Sequence, residues 1–283
     1  MLRQLTQITT AIALCLGVTA INAAEIDPEA ERMKFVNHYQ EKFPTVEFAD
    51  FTNGAYSLPQ YRHGRENWEA IEEFPPYDEA VEQGKEMFET PFANGQTYAS
   101  CFENGGIAIR QNYPKFNPET GDIETLEGQI NACRVNNGEE PLKWKKGDIA
   151  KISAYMGSTS HGKKINIEIP DDPRALAWFK RGKEHYYTKR GQLNLACANC
   201  HFDYVGAQLR SEILSPAVGQ LTHFPVYRQK WRELGTVHRR FGGCNEQVRA
   251  KAYPAQSDEY KALEYYLTYL SNGLEVSQYR YRK

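Results

Sequence analysis

Residues 197 to 201 read Cys-Ala-Asn-Cys-His. Two thiols at this spacing add to the two vinyl groups of one haem, and the adjoining histidine is aimed at the iron. The rest of such a chain has to enclose a porphyrin. A zinc site would call for a second ligand pair at similar spacing, and a thioredoxin-like redox pair would stand in a βαβ context without the histidine. The sequence offers neither. Covalent haem on Cys197 and Cys200, with His201 as proximal ligand, is therefore expected.

The amino terminus indicates where that chemistry takes place. Arg3 precedes an apolar stretch from Ile8 to Ile21, and small residues follow at Ala23 and Ala24, the pattern of a secretory signal peptide over residues 1–23. The stretch is shorter than the roughly 20 residues of a spanning helix. Cys15 stands behind bulky Leu14, which disfavours lipidation there. The expectation is a cleaved, periplasmic protein with no membrane insertion, Cys15 being lost with the leader. About 260 residues then remain, enough for two domains of ordinary size. With 34 basic against 36 acidic residues the formal net charge is −2, so nothing general favours nucleic acid, and any anion site has to be local. Aromatic residues at 12% of the chain argue against disorder.

The chain also repeats itself. Gly84-Lys85-Glu86 with Phe88 recurs as Gly182-Lys183-Glu184 with Tyr186, and Tyr98-Ala99-Ser100-Cys101-Phe102 falls on Cys197-Ala198-Asn199-Cys200-His201. Only one half keeps the haem motif. Farther on, Cys133 to Gly162 matches Cys244 to Gly273 without a gap, so that Tyr155 falls on Tyr266. Asp172 and Pro173 read as an N-cap and first helical position, leading through Leu176 and Phe179 to Gly182 and Tyr186. Leu263, Tyr266, Leu267 and Leu270 stand at i, i+3, i+4 and i+7, one face of a helix ending near Gly273. A helix before the motif and another at the end of each unit is the organisation of a class I cytochrome c domain. The fold expected is mainly α, with two tandem class I cytochrome c-like domains at 75–165 and 166–283. Residues 24–74 mix Pro, Gly and charge with scattered aromatics such as Tyr61 and Trp68. They read as an extended N-terminal arm with a short helix near Glu66 to Glu73, packed over its own protein or meeting a partner subunit.

The iron needs a sixth ligand or an open site. The usual electron-transfer choice, methionine, does not occur after Met156, and the strong donors downstream of His201 are His223, His238 and Cys244. A histidine would make a low-potential carrier, whereas a thiolate would place a reactive sulfur on the metal. The repeat favours Cys244, the counterpart of Cys133, and leaves the two histidines open.

The segment His238-Arg239-Arg240-Phe241-Gly242-Gly243-Cys244-Asn245-Glu246-Gln247-Val248-Arg249-Ala250 is preceded by Trp231-Arg232-Glu233-Leu234-Gly235. With Trp68-Glu69, Glu72-Glu73-Phe74-Pro75-Pro76 and the haem motif, it resembles the SoxA family, catalytic cytochrome subunits of the periplasmic sulfur-oxidising (Sox) system. The resemblance spans most of the chain after the leader. It implies Cys244 as distal haem ligand and active-site sulfur, often persulfidated, and Arg240 as a holder of thiosulfate. It implies haem attachment at Cys197 and Cys200, with His201 proximal. It also implies a heterodimer with a small cytochrome subunit, SoxX, and an L-cysteine S-thiosulfotransferase activity. In that reaction thiosulfate is attached to a cysteine of the carrier SoxYZ, and two electrons leave through haem. A guanidinium suits a small dianion, and a sulfur beside an iron cation stays deprotonated.

The family's dihaem form has a second motif where this chain has Tyr98 and Phe102, in place of the first thiol and the histidine. One covalently bound haem c per chain is expected, and a first domain without haem. Cys101 and Cys133 would then be left across that site in an oxidising compartment, where a disulfide is the natural fate. Two other activities stay open: a thiosulfate dehydrogenase joining two thiosulfates into tetrathionate, and a plain electron carrier with an inert Cys244.

Overall fold

In the computed structural model, which describes residues 26–283, the repeat is one helical plan used twice. Two helices come first, α1 (Pro28–Lys42) and α2 (Arg62–Glu73). The first copy then runs through α3 (Asp78–Glu89), the hairpin β1 (Lys115–Asn117) and β2 (Asp122–Glu124), α4 (Leu126–Asn136) and α5 (Asp148–Ser158). The second copy opens with α6 (Pro173–Tyr187) and inserts a small hairpin, β3 (Gln208–Leu209) and β4 (Glu212–Ile213). It continues with β5 (Val226–Arg228), β6 (Glu233–Gly235), α7 (Val237–Gln247) and α8 (Asp258–Leu270), and β7 (Tyr281–Arg282) closes the chain. Both main hairpins are antiparallel, and β7 joins β5 in parallel. Among the described residues no helix is long and apolar enough to cross a membrane. The signal-peptide reading of residues 1–23, with Cys15, lies outside the described residues.

The recurring glycine marks where helices cross. At Gly84 a Cβ would sit 2.1 Å from the Lys151 carbonyl oxygen, so α3 meets α5 backbone to backbone. At Gly182 it would sit 2.2 Å from the Ala262 carbonyl oxygen, and α6 meets α8 in the same way. Glycine inside a helix costs about 1 kcal/mol against alanine, and these close crossings are the reason it stands there. Each copy builds its own core. That of the first includes Phe88, Phe92, Tyr98, Phe102 and Met156. Tyr98 is 1% exposed and meets Phe92 edge to face at 4.8 Å between centroids. Aromatic side chains thus fill the interior where the second copy has its Cys-x-x-Cys-His run, and Cys101 and Cys133 form a disulfide beside them.

Residues 26–74 depart from the extended arm expected. α1 runs for 15 residues. Asp27 starts it, its carboxylate accepting from the Glu29 and Ala30 N–H groups at 2.9 and 3.1 Å, with Pro28 following. This is the same start signal as Asp172 and Pro173. The helix escapes a hydrophobic-periodicity reading because its buried face, Glu31, Phe35, Val36 and Tyr39, includes a charge. Glu31 is paired with Lys183 of α6 at 2.7 Å and accepts from the Tyr266 hydroxyl of α8 at 2.9 Å. Burial pushes the Glu31 carboxyl up, but Lys183 and Tyr266 more than offset it and hold it below the usual value. α2 begins at Arg62 rather than Glu66 and is tied to β7 by the Trp68 indole N–H, which donates to the Tyr281 carbonyl at 3.3 Å.

Between the copies the duplication creates a buried polar cluster. Glu127 of α4 and His238 of α7 occupy equivalent positions, as do Ser153 of α5 and Glu264 of α8. All four are 5% exposed or less. Ser153 donates to Glu127 at 2.7 Å. His238 Nδ1 accepts from the Gln256 N–H at 3.0 Å, which leaves Nε2 to face the Glu264 carboxylate at 3.1 Å. The two groups are close, yet neither His238 Nε2 nor the facing Glu264 oxygen has a well-directed hydrogen-bond partner.

Two outcomes follow from this architecture. The Cys101–Cys133 link closes an interval of 32 residues, so replacing both with serine should lower unfolding free energy by about 3–4 kcal/mol in denaturant titrations. Burial, then Glu264, hold the Glu127 carboxyl above its ordinary 4.5. The folded chain therefore keeps a proton that the unfolded chain releases, and stability falls as pH rises from 4.5 through the raised folded value. Glu127→Gln keeps an acceptor for Ser153 and removes that ionisation. It should match the parent near pH 4 and exceed it at pH 8; parallel stability curves would contradict this.

Candidate haem and sulfur site

Cys197, Cys200 and Cys244 are the unpaired cysteines among the described residues, all partly exposed. After α6 the chain makes a loop pinned by an Arg190–Leu195 bridge. It then enters a single wide helical turn at Asn199–Asp203 that carries Cys200 and His201. α1 props this turn from behind. The Tyr39 hydroxyl donates to the His201 carbonyl at 2.5 Å and accepts from the Ala217 N–H at 3.1 Å. The His38 ring stacks on Phe202 at 4.2 Å between centroids, and Lys42 donates to the Asp203 carbonyl at 3.0 Å.

The His201 ring is oriented by one short hydrogen bond. Its Nδ1 lies 2.8 Å from the Ser215 carbonyl oxygen, which can only accept, so Nδ1 donates and Nε2 is the nitrogen left to meet Cys244 or a metal. The Gln220 side-chain amide, 2.6 Å from the same Nδ1, then turns its oxygen to the ring.

Cys244, near the end of α7, lies close enough to the His201 ring for the imidazole to act on its thiol. Burial pushes its thiol up. Arg240, one turn earlier on the same helix, outweighs that together with His201 and Arg228, and the thiol is brought down to about 7. The other two thiols stay protonated: burial, then Cys244, push Cys197 up to about 12 and raise Cys200 as well. Two thiols at attachment spacing, an imidazole nitrogen and a third sulfur thus converge on one place. Beside the motif Leu193, Leu195 and Tyr204 remain 47%, 36% and 63% exposed, apolar surface of the kind that a porphyrin covers. These residues fit a covalently attached haem: Cys197 and Cys200 would hold it, and His201 and Cys244 would be the donors available to its iron.

Arg240 does not act on the sulfur alone. Arg228 of β5 also bears on Cys244, and its side chain is only 12% exposed. It donates through Nε and Nη2 to the Lys283 carbonyl at 3.1 and 2.7 Å. Burial first, and the like charge of Arg240 second, bring Arg228 down to about 10. Two guanidinium groups that disfavour each other beside a sulfur make a place suited to a small anion. Arg239 turns away, to Glu233 at 3.1 Å and the Trp231 ring at 4.3 Å, and Arg249 is exposed.

Both histidines left open by the sequence are engaged elsewhere. His238 is held in the interdomain cluster. His223 is 7% exposed, its Nδ1 3.1 Å from the Thr222 hydroxyl and its ring stacked on Phe224. Burial, then Arg282 and Arg280, keep it neutral, well below the usual imidazole range. The expected residues Cys197, Cys200, His201, Arg240 and Cys244 come together, while Cys101 and Cys133 lie in the other copy. Sequence reading misses Tyr39, Ser215, Gln220 and Arg228. For Tyr39 a usable signal existed, the Asp27-Pro28 helix start; the other three stand in irregular chain or a short strand where no period reveals them.

The SoxA/TsdA cytochrome c domain matches residues 83–165 and 181–276 of this chain. The L-cysteine S-thiosulfotransferase subunit SoxA of Allochromatium vinosum is 53% identical over 251 residues, covering 88% of both chains. The protein of that name from Chlorobaculum tepidum is 46% identical over 274 residues, covering 95% of this chain and 94% of the relative. Among solved structures, SoxXA from P. pantotrophus matches with a TM-score of 0.68 at 33% identity, over 74% of this chain and 79% of that one.

Proposed function

We propose, from the premise that this chain belongs to the SoxA/TsdA cytochrome c family, that it performs the reaction for which its SoxA relatives are named. It is an L-cysteine S-thiosulfotransferase subunit, joining thiosulfate oxidatively to a cysteine of a SoxYZ-like carrier protein. The observation that carries this reading is the placement of Arg240 and Cys244 one turn apart on α7, with Cys244 facing His201. Cys197 and Cys200 would hold one haem c, with His201 and Cys244 as donors to its iron, and when bound it would supply an electron sink.

The remaining steps fall to side chains of this chain. Arg240, with Arg228 behind it, neutralises and orients the thiosulfate dianion. The Cys244 thiolate and the outer sulfur of thiosulfate form one S–S bond, and that oxidation releases two electrons and no proton. The carrier thiolate then attacks the outer sulfur, the bond to Cys244 breaks, and Cys244 leaves as a thiolate. A low thiol pKa favours that departure. The Ser215 carbonyl holds the His201 ring through Nδ1, and Tyr39 fixes the backbone behind it, so both limit motion of the proximal side.

The likeness to SoxXA supports pairing with a small SoxX-like cytochrome subunit, and the leader pattern of residues 1–23 supports periplasmic action. We assign the haem-less domain to 75–165 and the haem domain to 166–283, after an N-terminal segment at 24–74; the matched ranges support both assignments. Tyr98 and Phe102, packed in the first core, support a single haem.

The two residues on α7 should fail differently. Cys244→Ala should change the haem spectrum and abolish conjugation. Arg240→Ala should leave the spectrum unchanged and lower kcat/KM by roughly 30-fold or more, the equivalent of about 2–5 kcal/mol for a lost charge-assisted clamp. Steady-state assays with thiosulfate and a carrier thiol check this. Wild-type turnover in Cys244→Ala would defeat the reading, and tetrathionate formed without any carrier thiol would favour the dehydrogenase.

A further inference from the structure

Cys101 and Cys133 are bonded with their Cα atoms 5.7 Å apart. The repeat puts Cys200 and Cys244 at the same two positions of the second copy. The equivalence is structural as well as sequential. Cys133 and Cys244 stand at matching places in α4 and α7, behind the matching N-cap residues Thr125 and Thr236. Cys101 and Cys200 both sit in short turns that follow the first helix of their copy. The repeat therefore places the two pairs of sulfurs at equivalent positions, bonded in the first copy and unbonded in the second, where Cys244 still lies near enough to Cys200 to act on its thiol. Cys197 differs from Cys200: it packs against the main apolar cluster of the second copy, and its counterpart in the first copy is Tyr98, which cannot cross-link.

We propose that, before haem is attached, the second domain closes a Cys200–Cys244 disulfide in the image of Cys101–Cys133, and that this bond holds the chain back from haem loading. The proposal rests on the reading of Cys200 as an attachment thiol and Cys244 as the distal ligand, since one bond occupies both. Forming it removes two protons and two electrons from the thiol pair. They pass to a disulfide-bearing thiol oxidoreductase of the export compartment, the same class of oxidant that Cys101–Cys133 requires. Opening it returns two electrons and two protons from a dithiol reductant, by attack of a thiolate on one sulfur and release of the other. Haem attachment to this chain thus depends on reductant reaching Cys200–Cys244, and the structural disulfide Cys101–Cys133 has to survive the same reductant.

The test uses the full chain exported in a host without haem-attachment machinery, trapped with iodoacetamide under denaturing conditions without reduction and mapped by peptide mass. The expected pattern is Cys101–Cys133 and Cys200–Cys244 linked, with Cys197 alkylated. Any other state of the three second-domain thiols, a Cys197–Cys200 link or three alkylated cysteines included, overturns the proposal. A second measurement works in a host that does attach haem, with dithiol reductant scarce. There Cys244→Ser should raise the haem-loaded fraction, read by pyridine haemochrome per chain, by about twofold or more, and added dithiol should raise the wild type to the same level. Equal loading of the two proteins without dithiol overturns it. Neither readout involves thiosulfate, so a failure of the transferase reading and a failure of this proposal are told apart.

Discussion

The close crossing of α6 over α8 at Gly182, where a side chain would collide with the Ala262 carbonyl, is the constraint from which the site follows. It fixes the direction in which α6 delivers the chain to the Cys197–His201 turn. It also fixes α8, against which α7 lies through Tyr260, whose hydroxyl accepts from the Asn245 amide at 2.7 Å. With both ends set, Cys244 is carried to the face of His201. The same crossing at Gly84 serves the first copy, whose interior is filled with Phe88, Tyr98 and Phe102.

α7 is the element in which fold and chemistry are least separable. Its first turn holds His238, anchored on the Gln256 backbone and facing Glu264 inside the interface between copies. Its next turns present Arg240 and Cys244 to the site. An anchored first turn limits rotation of the helix, and a small rotation would move both the sulfur and its guanidinium off target. On the opposite side the His201 ring is held by the Ser215 carbonyl and its backbone by Tyr39. The two sides of the site are therefore braced by different parts of the chain, α1 for one and the interdomain cluster for the other.

Much of this was legible in the sequence because it rests on local or repeated signals. The Cys-x-x-Cys-His spacing, the glycine of each Gly-Lys-Glu run, and the ungapped match from Cys133 and Cys244 onward located the haem motif, the duplicated helices and the third sulfur. What stayed hidden depends on pairing across the chain. α1 buries Glu31, and a buried charge masks a helical face until Lys183 and Tyr266 are seen opposite it. His238 looked like a possible ligand because nothing local reveals Glu264, and Arg228 looked like an ordinary strand residue until the fold set it near Arg240. Ser215 and Gln220 lie in irregular chain, where tertiary position alone gives them a task.

The central proposal, that His201 and Cys244 would both ligate the iron of one haem, is tested most directly by the low-temperature EPR spectrum of the purified ferric protein. A low-spin signal with the narrow g spread of histidine–thiolate coordination is predicted, at one haem per chain by pyridine haemochrome. A high-spin signal, or a wide low-spin spread typical of two histidines, would contradict the account.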